Sequence, residues 1–228
     1  MKAIDNKETR KFKPQAKICG LTRIDQALVC AELGADAIGL VFYPQSPRYV
    51  SMDQARSITD ALPPQIKTVG VFMNAPVDRV KETAERCGLQ GVQLHGQESP
   101  TAVAALMDEG LMVIKALFQT SEPAFTTAAD YPASALLVEC GQGPLPGGNA
   151  IEWRWNDARE LSGYRPLILA GGLAAGNVAA AAVAANADAV DVSSGVEQRP
   201  GEKDTARVKQ FLEAVANIQY NQPVRRVF

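Results

Sequence analysis

Cys19 sits where a strand-like run, Lys17-Ile18-Cys19, meets Gly20 in the stretch KICGLTR. A free thiol ionises only one to two pH units above neutrality, about 8.5 unperturbed, so a thiolate is a usable base or nucleophile as well as a small buried side chain. Residues two apart share one face of a strand. Lys17 therefore lies on the side of Cys19, where it either lowers the thiol pKa or fills the interior of a sheet. The same spacing pairs Gln93 with His95 in GVQLHG, and Asp191 with Ser193 in ADAVDVSSG. His95 can act as a base, a donor or a packing residue. Glu139 ends the run ALLVE and supplies a carboxyl group. Arg48, in SPRYV, carries a guanidinium that can fork onto a carboxylate or close a surface salt bridge. Two glycine-containing turns, Gly171-Gly172 and Ser193-Ser194-Gly195, let backbone N–H groups come close to an anion such as phosphate.

The elements that must hold these groups are legible from the pattern. Eight short apolar runs begin at Ala16: AKICG, DAIGLVFY, IKTVGVFM, GVQLHG, LMVIKALF, ALLVEC, PLILAGG and ADAVDVSSG. Between them lie segments of helical period. Ile24, Ala27, Leu28 and Ala31 fall on one face, with Thr22 and Asp25 at capping-box spacing and Gly34 to close the far end. Ser51, Ser99 (followed by Pro100) and Asp204 are placed to cap later helices. The alanine-rich run 174–189 reads as a helix. Eight strand-then-helix units predict a single (β/α)8 TIM barrel over residues 16–217. An open doubly wound sheet is the competing architecture, but it has fewer strands at this length and no GxGxxG follows a strand. Residues 1–15 read as a polar N-terminal extension, and residues 218–228 as a C-terminal tail beyond the last helix. In such a barrel the active site lies at the C-terminal ends of the strands, with phosphate after strands seven and eight. Every candidate named above sits at such an end.

Composition limits the partners. The chain has 228 residues, 46 % hydrophobic, with a net charge of −2. There is no basic footprint for nucleic acid, no apolar run long enough to span a membrane and no signal-peptide core at the start. Four cysteines (Cys19, Cys30, Cys87, Cys140) and one histidine show no metal-ligand spacing, so no metal site is expected. Free thiols without a leader point to the cytoplasm.

The segments KICGLTR, GLVFYPQSPRYV, VGVFMN, VQLHG, LPGGN, LAGGLAAGNV and DVSSGVE with PGEKD, in that order from about Ala16 to Val215, resemble the phosphoribosylanthranilate isomerase family of tryptophan biosynthesis. The resemblance implies a cofactor-free Amadori rearrangement of N-(5-phosphoribosyl)anthranilate to 1-(2-carboxyphenylamino)-1-deoxyribulose 5-phosphate. It implies Cys19 as general base and Arg48 as the residue that binds the anthranilate carboxylate. Gly171, Gly172, Ser193, Ser194 and Gly195 would bind phosphate, and Asp191 and His95 would contact substrate. Cys30, Cys87 and Cys140 match nothing functional. The general acid of the family is an aspartate, and the matching residue here is Glu139, one methylene longer. The following loop also departs, reading GGNAIEWRW where the family has GGTG or GGNG and then FDW. Two other readings stand beside this one. One is a barrel that binds a phosphorylated ligand with impaired catalysis. The other is a related isomerase of histidine biosynthesis, disfavoured because those barrels use an aspartate at the position of Cys19 and bind two phosphates.

Overall fold

Strands covered by helices on one side and packed into a closed interior on the other must be apolar on both faces. The eight apolar runs meet that condition, and in the computed structural model, which describes residues 12–143 and 151–228, each is a strand. They are β1 (Gln15–Cys19), β2 (Ala37–Val41), β3 (Lys67–Phe72), β4 (Gly91–Leu94), β5 (Met112–Phe118), β6 (Ala135–Glu139), β7 (Leu167–Leu169) and β8 (Ala189–Val192). All pair in parallel in sequence order, and β8 returns to β1, closing the (β/α)8 barrel. Alternation separates the two faces as the period of two requires. Ile18, Leu94 and Val192 point outward into a core shared with the helices. Val69, Ile114, Leu137 and Ile168 point inward and fill the barrel.

Among the described residues six α-helices cover the outside: α1 (Ile24–Glu32), α2 (Met52–Ala61), α3 (Val77–Cys87), α4 (Pro100–Asp108), α5 (Val178–Ala185) and α6 (Thr205–Ala216). Ser51, Ser99 and Asp204 cap α2, α4 and α6 through their side-chain oxygens. Two expectations are corrected. Thr22 does not cap α1, whose N-cap Arg23 makes no side-chain capping bond; the Thr22 hydroxyl instead donates to Gly201 O at 2.7 Å. After β5 and β6 the covering segments are 3-10 turns, Phe125–Asp130 and Trp155–Gly163. The first is short and bounded by Pro123 and Pro132, and the second ends at Gly163 just before Pro166, so neither stretch sustains an α-helix. Beyond β8 the chain forms a small hairpin, β9 (Glu197–Arg199) with β10 (Glu202–Lys203), before α6.

The segment after α6 runs beneath the barrel, on the face opposite the strand C-termini. Tyr220 bridges Phe12. Arg225 donates from its backbone and side chain to Asp188, just before β8. The Gln15 side chain accepts from the N–H groups of Val227 and Phe228 and donates to Phe228 O. Phe228 is 3 % exposed and joins the inner cluster, stoppering the bottom of the barrel. Burying a phenylalanine contributes about 2–3 kcal/mol. Phe228→Ala is expected to lower unfolding stability by up to about 3 kcal/mol in urea titrations, while turnover measured far below the transition is unchanged.

Candidate active site

The strand C-termini open into one pocket, and all ten candidate residues line it: Cys19, Arg48, His95, Glu139, Gly171, Gly172, Asp191, Ser193, Ser194 and Gly195. Cys140 lines it as well, whereas Cys30 and Cys87 are buried in the faces of α1 and α3. Among the described residues no group of three or more His, Cys, Asp or Glu side chains is arranged to hold a metal ion.

Cys19 ends β1 pointing inward, and neighbouring β2 offers Gly39 opposite it. A Cβ at Gly39 would lie 2.7 Å from Cys19 Sγ, so the glycine makes the space the thiol occupies. The β1–β8 register sets Lys17 beside Asp191, and Lys17 Nζ donates to Asp191 Oδ1 at 2.9 Å. Burial disfavours the Lys17 ammonium, but Asp191 and the Cys19 sulfur outweigh it and hold its pKa above the ordinary value. Burial raises the Cys19 thiol. Lys17 and Lys203 pull it back, Asp191 adds to the rise, and the net direction is upward.

Arg48 reaches the pocket from the loop after β2. A Cβ at Gly20 would lie 2.5 Å from Arg48 Cδ, and Gly20 has φ +77°, so the glycine after Cys19 leaves both the turn and the passage for the arginine stem. The guanidinium is forked onto Glu197, with Nε donating to Oε1 at 2.9 Å and Nη2 to Oε2 at 2.7 Å. Lys203 Nζ donates to Glu197 Oε1 at 2.7 Å and to Ser193 O at 3.2 Å, and Gly201 N donates to Glu197 Oε1 at 3.3 Å. Arg48 thus makes an ion pair, but a buried one. Burial would raise the Glu197 carboxyl, yet Arg48 and Lys203 overcome it and hold the carboxyl below its ordinary 4.5. Burial pulls Lys203 down while Glu197 opposes it, and the four N–H donors around Glu197 favour its ionised form.

His95 follows β4 and bridges two polar groups. Its Nδ1 lies 3.0 Å from Gln93 Nε2 and its Nε2 lies 3.2 Å from Glu139 Oε1. The imidazole thus links the Gln93 amide to the Glu139 carboxyl group, its two ring nitrogens taking donor and acceptor roles according to the tautomer. Phe118 stands edge-on to the ring. The peptide around His95 is gripped from below: Lys115 Nζ donates to Leu94 O, Gly96 O and Glu98 Oε2, and Glu98 accepts from Asn74 N and Gly96 N.

The two glycine-containing turns after β7 and β8 lie side by side. Gly171 and Gly172 have φ of +83° and +70°, and a Cβ on Gly172 would lie 2.6 Å from Glu152 N and Ile151 O. A Cβ on Gly195 would lie 2.0 Å from Leu173 O, so the β8 turn can nest against the β7 turn only as glycine. Both tryptophans hold this corner, with Trp153 Nε1 donating to Ala170 O and Trp155 Nε1 to Gly171 O. The segment LPGGN lies outside the described residues.

A family model described as N-(5'-phosphoribosyl)anthranilate (PRA) isomerase matches residues 16–214, the whole barrel. The chain belongs to this family. A relative of that name from Desulfatibacillum aliphaticivorans is 49 % identical over 214 residues, which is 94 % of this chain and 98 % of the relative. The crystal structure of phosphoribosyl anthranilate isomerase from Thermus thermophilus superposes with a TM-score of 0.81 at 37 % identity, covering 89 % of this chain and 98 % of that one. A family structure in complex with reduced 1-(o-carboxyphenylamino)-1-deoxyribulose 5-phosphate superposes at 0.78, with 36 % identity and the same coverage.

Sequence reasoning did not single out Glu197, Lys203 or Lys115. The first two stood in quoted segments, DVSSGVE and PGEKD, and a charged pair flanking a Pro-Gly turn was the available signal for a buried contact. The depressed Glu197 pKa carries a stability consequence. An ionised, paired Glu197 stabilises the folded state above the unfolded carboxyl pKa, and that contribution is lost as pH falls through the lower folded value. Parent protein is therefore expected to lose stability below about pH 4.5 more steeply than Glu197→Gln, measured by denaturant midpoints across pH 3–7.

Proposed function

We propose that this protein catalyses the Amadori rearrangement of N-(5-phosphoribosyl)anthranilate to 1-(2-carboxyphenylamino)-1-deoxyribulose 5-phosphate, a step of tryptophan biosynthesis. The observation that carries the reading is the strand order: Glu139 on β6 and Cys19 on β1 flank one pocket, with the glycine turns of β7 and β8 between them. Phosphate held at Gly171, Gly172, Ser193, Ser194 and Gly195 would set the ribose between a carboxyl group and a thiol. Arg48 would receive the anthranilate carboxylate, and Asp191 and His95 would contact the substrate.

The reaction needs one proton delivered and one removed. Glu139 protonates the furanose ring oxygen, the C1–O bond breaks, and the ring opens to a protonated Schiff base. Cys19, as thiolate, removes the proton from C2, leaving an enolamine. Protonation at C1 with loss of the proton from the C2 hydroxyl then gives the ketone, so the two protons gained equal the two lost. The neighbouring Lys17 ammonium favours the thiolate over the thiol, against the burial that raises it. His95 Nε2 lies 3.2 Å from Glu139 Oε1, which gives the longer side chain a fixed direction in the pocket and leaves Oε2 to carry the acidic proton. All four cysteines are free and buried, which fits a reducing cytoplasm.

Turnover is followed by loss of fluorescence of freshly made phosphoribosylanthranilate. The parent is expected to turn over, Glu139→Gln to lose on the order of 10²–10⁴-fold in kcat, and Cys19→Ser to lose nearly all turnover while still binding product. Binding without turnover in the parent, with turnover gained in Glu139→Asp, would establish the impaired-barrel reading instead.

A further inference from the structure

The hairpin after β8 carries two buried charges to which the rearrangement assigns no task. Arg48, Glu197 and Lys203 are 5 %, 6 % and 3 % exposed. Glu197 takes the Nε–Nη2 edge of the Arg48 guanidinium. A guanidinium has five N–H donors in a fixed fork. The edge left over is the end-on one, formed by Nη1 and the outer N–H of Nη2, on a side chain that lines the pocket. Two of these groups are cations and one is an anion. Arg48 and Glu197 alone would cancel, and an incoming carboxylate would meet a neutral pair. Lys203 on Glu197 Oε1 offsets that cancellation. Lys203 also touches Ser193 O, so one hairpin steadies both the arginine and the β8 turn.

We infer that Glu197 and Lys203 are positioning residues for recognition of the aromatic carboxylate. Glu197 fixes the guanidinium with its end-on fork toward the pocket, and Lys203 neutralises Glu197 so that Arg48 presents net positive charge there. The inference rests on the reading of Arg48 as the carboxylate-binding group. It makes the selectivity for a carboxylated ring a property of three side chains from two loops.

The test compares two ligands on the full chain by titration calorimetry: reduced 1-(o-carboxyphenylamino)-1-deoxyribulose 5-phosphate and its phenylamino counterpart lacking the carboxyl group. In the parent, loss of the carboxyl group is expected to weaken binding by about 50-fold, the scale of a charge-assisted fork. In Glu197→Gln and in Lys203→Met the ratio should fall to about 5-fold or less, with the Kd of the decarboxylated ligand within about 3-fold of the parent. A purely structural role would weaken both ligands together and leave the ratio standing, and that result overturns the inference. If Glu197→Gln does not fold, the ratio in Lys203→Met decides alone. A parent that binds both ligands equally well removes the role of Arg48 and this inference with it, leaving the barrel's phosphate site intact. A parent that binds neither overturns the isomerase reading as a whole.

Discussion

The buried pair between Lys17 and Asp191 spans the seam at which the barrel closes. Lys17 belongs to the first strand and is fully buried, while Asp191 belongs to the last. An ammonium inside a protein is tolerable only with a partner, and removing one member of such a pair costs about 3–5 kcal/mol because the other charge is left stranded. The register that joins β1 to β8 is therefore the one in which this charge is satisfied. A shift by one residue would turn Lys17 into the apolar layer beneath the helices. The same register carries Cys19 to the rim of the pocket, next to Gly39, and Ser193 to the turn beyond Asp191. Barrel closure and placement of the thiol are one geometric event.

Buried paired charges tie loops together at two places around the pocket. Lys115 and Glu98 tie the turns after β3 and β4 together beneath His95. Arg48, Glu197 and Lys203 tie the loop after β2 to the hairpin after β8. Each cluster is buried, so its hydrogen bonds are strong and its geometry is narrow. Loops in this architecture are free to vary, and such buried ionic contacts restrict them where a ligand must be met. On the proposed reading, a substrate with a phosphate at one end and a carboxylate at the other would find fixed donors at both ends, on scaffolding that does not have to reorganise.

Much of this was readable before the structure, for physical reasons. Strands buried on both faces are short apolar runs whatever else they do, and the period of two separates Cys19, His95 and Asp191 from their helix-facing neighbours. The rule that function gathers at strand C-termini then isolates the candidate residues, which line one pocket. What could not be read was longer in range or weaker in signal. The fork between Arg48 and Glu197 joins positions 149 apart, and no local pattern marks it. The hydroxyl of Thr22 had an equally good local use as a cap, and tertiary contact with Gly201 took it instead. The 3-10 turns after β5 and β6 have the length and apolar content of poor helices, and prolines decided their form. The tail carries no periodicity, because its role rests on the Phe228 ring and a few backbone bonds to Gln15 and Asp188.

The seam also orders events during synthesis. Lys17 and Cys19 leave the ribosome before β8 and the segment anchored by Gln15 exist to meet them. Contacts so distant along the chain close late, since the entropy of looping must be overcome before they reward it. Until then Lys17 has no counter-ion and the thiol no finished pocket. The thiol of β1 is made well before β8, the strand that completes its surroundings, and takes up its place in the pocket only once that strand is paired.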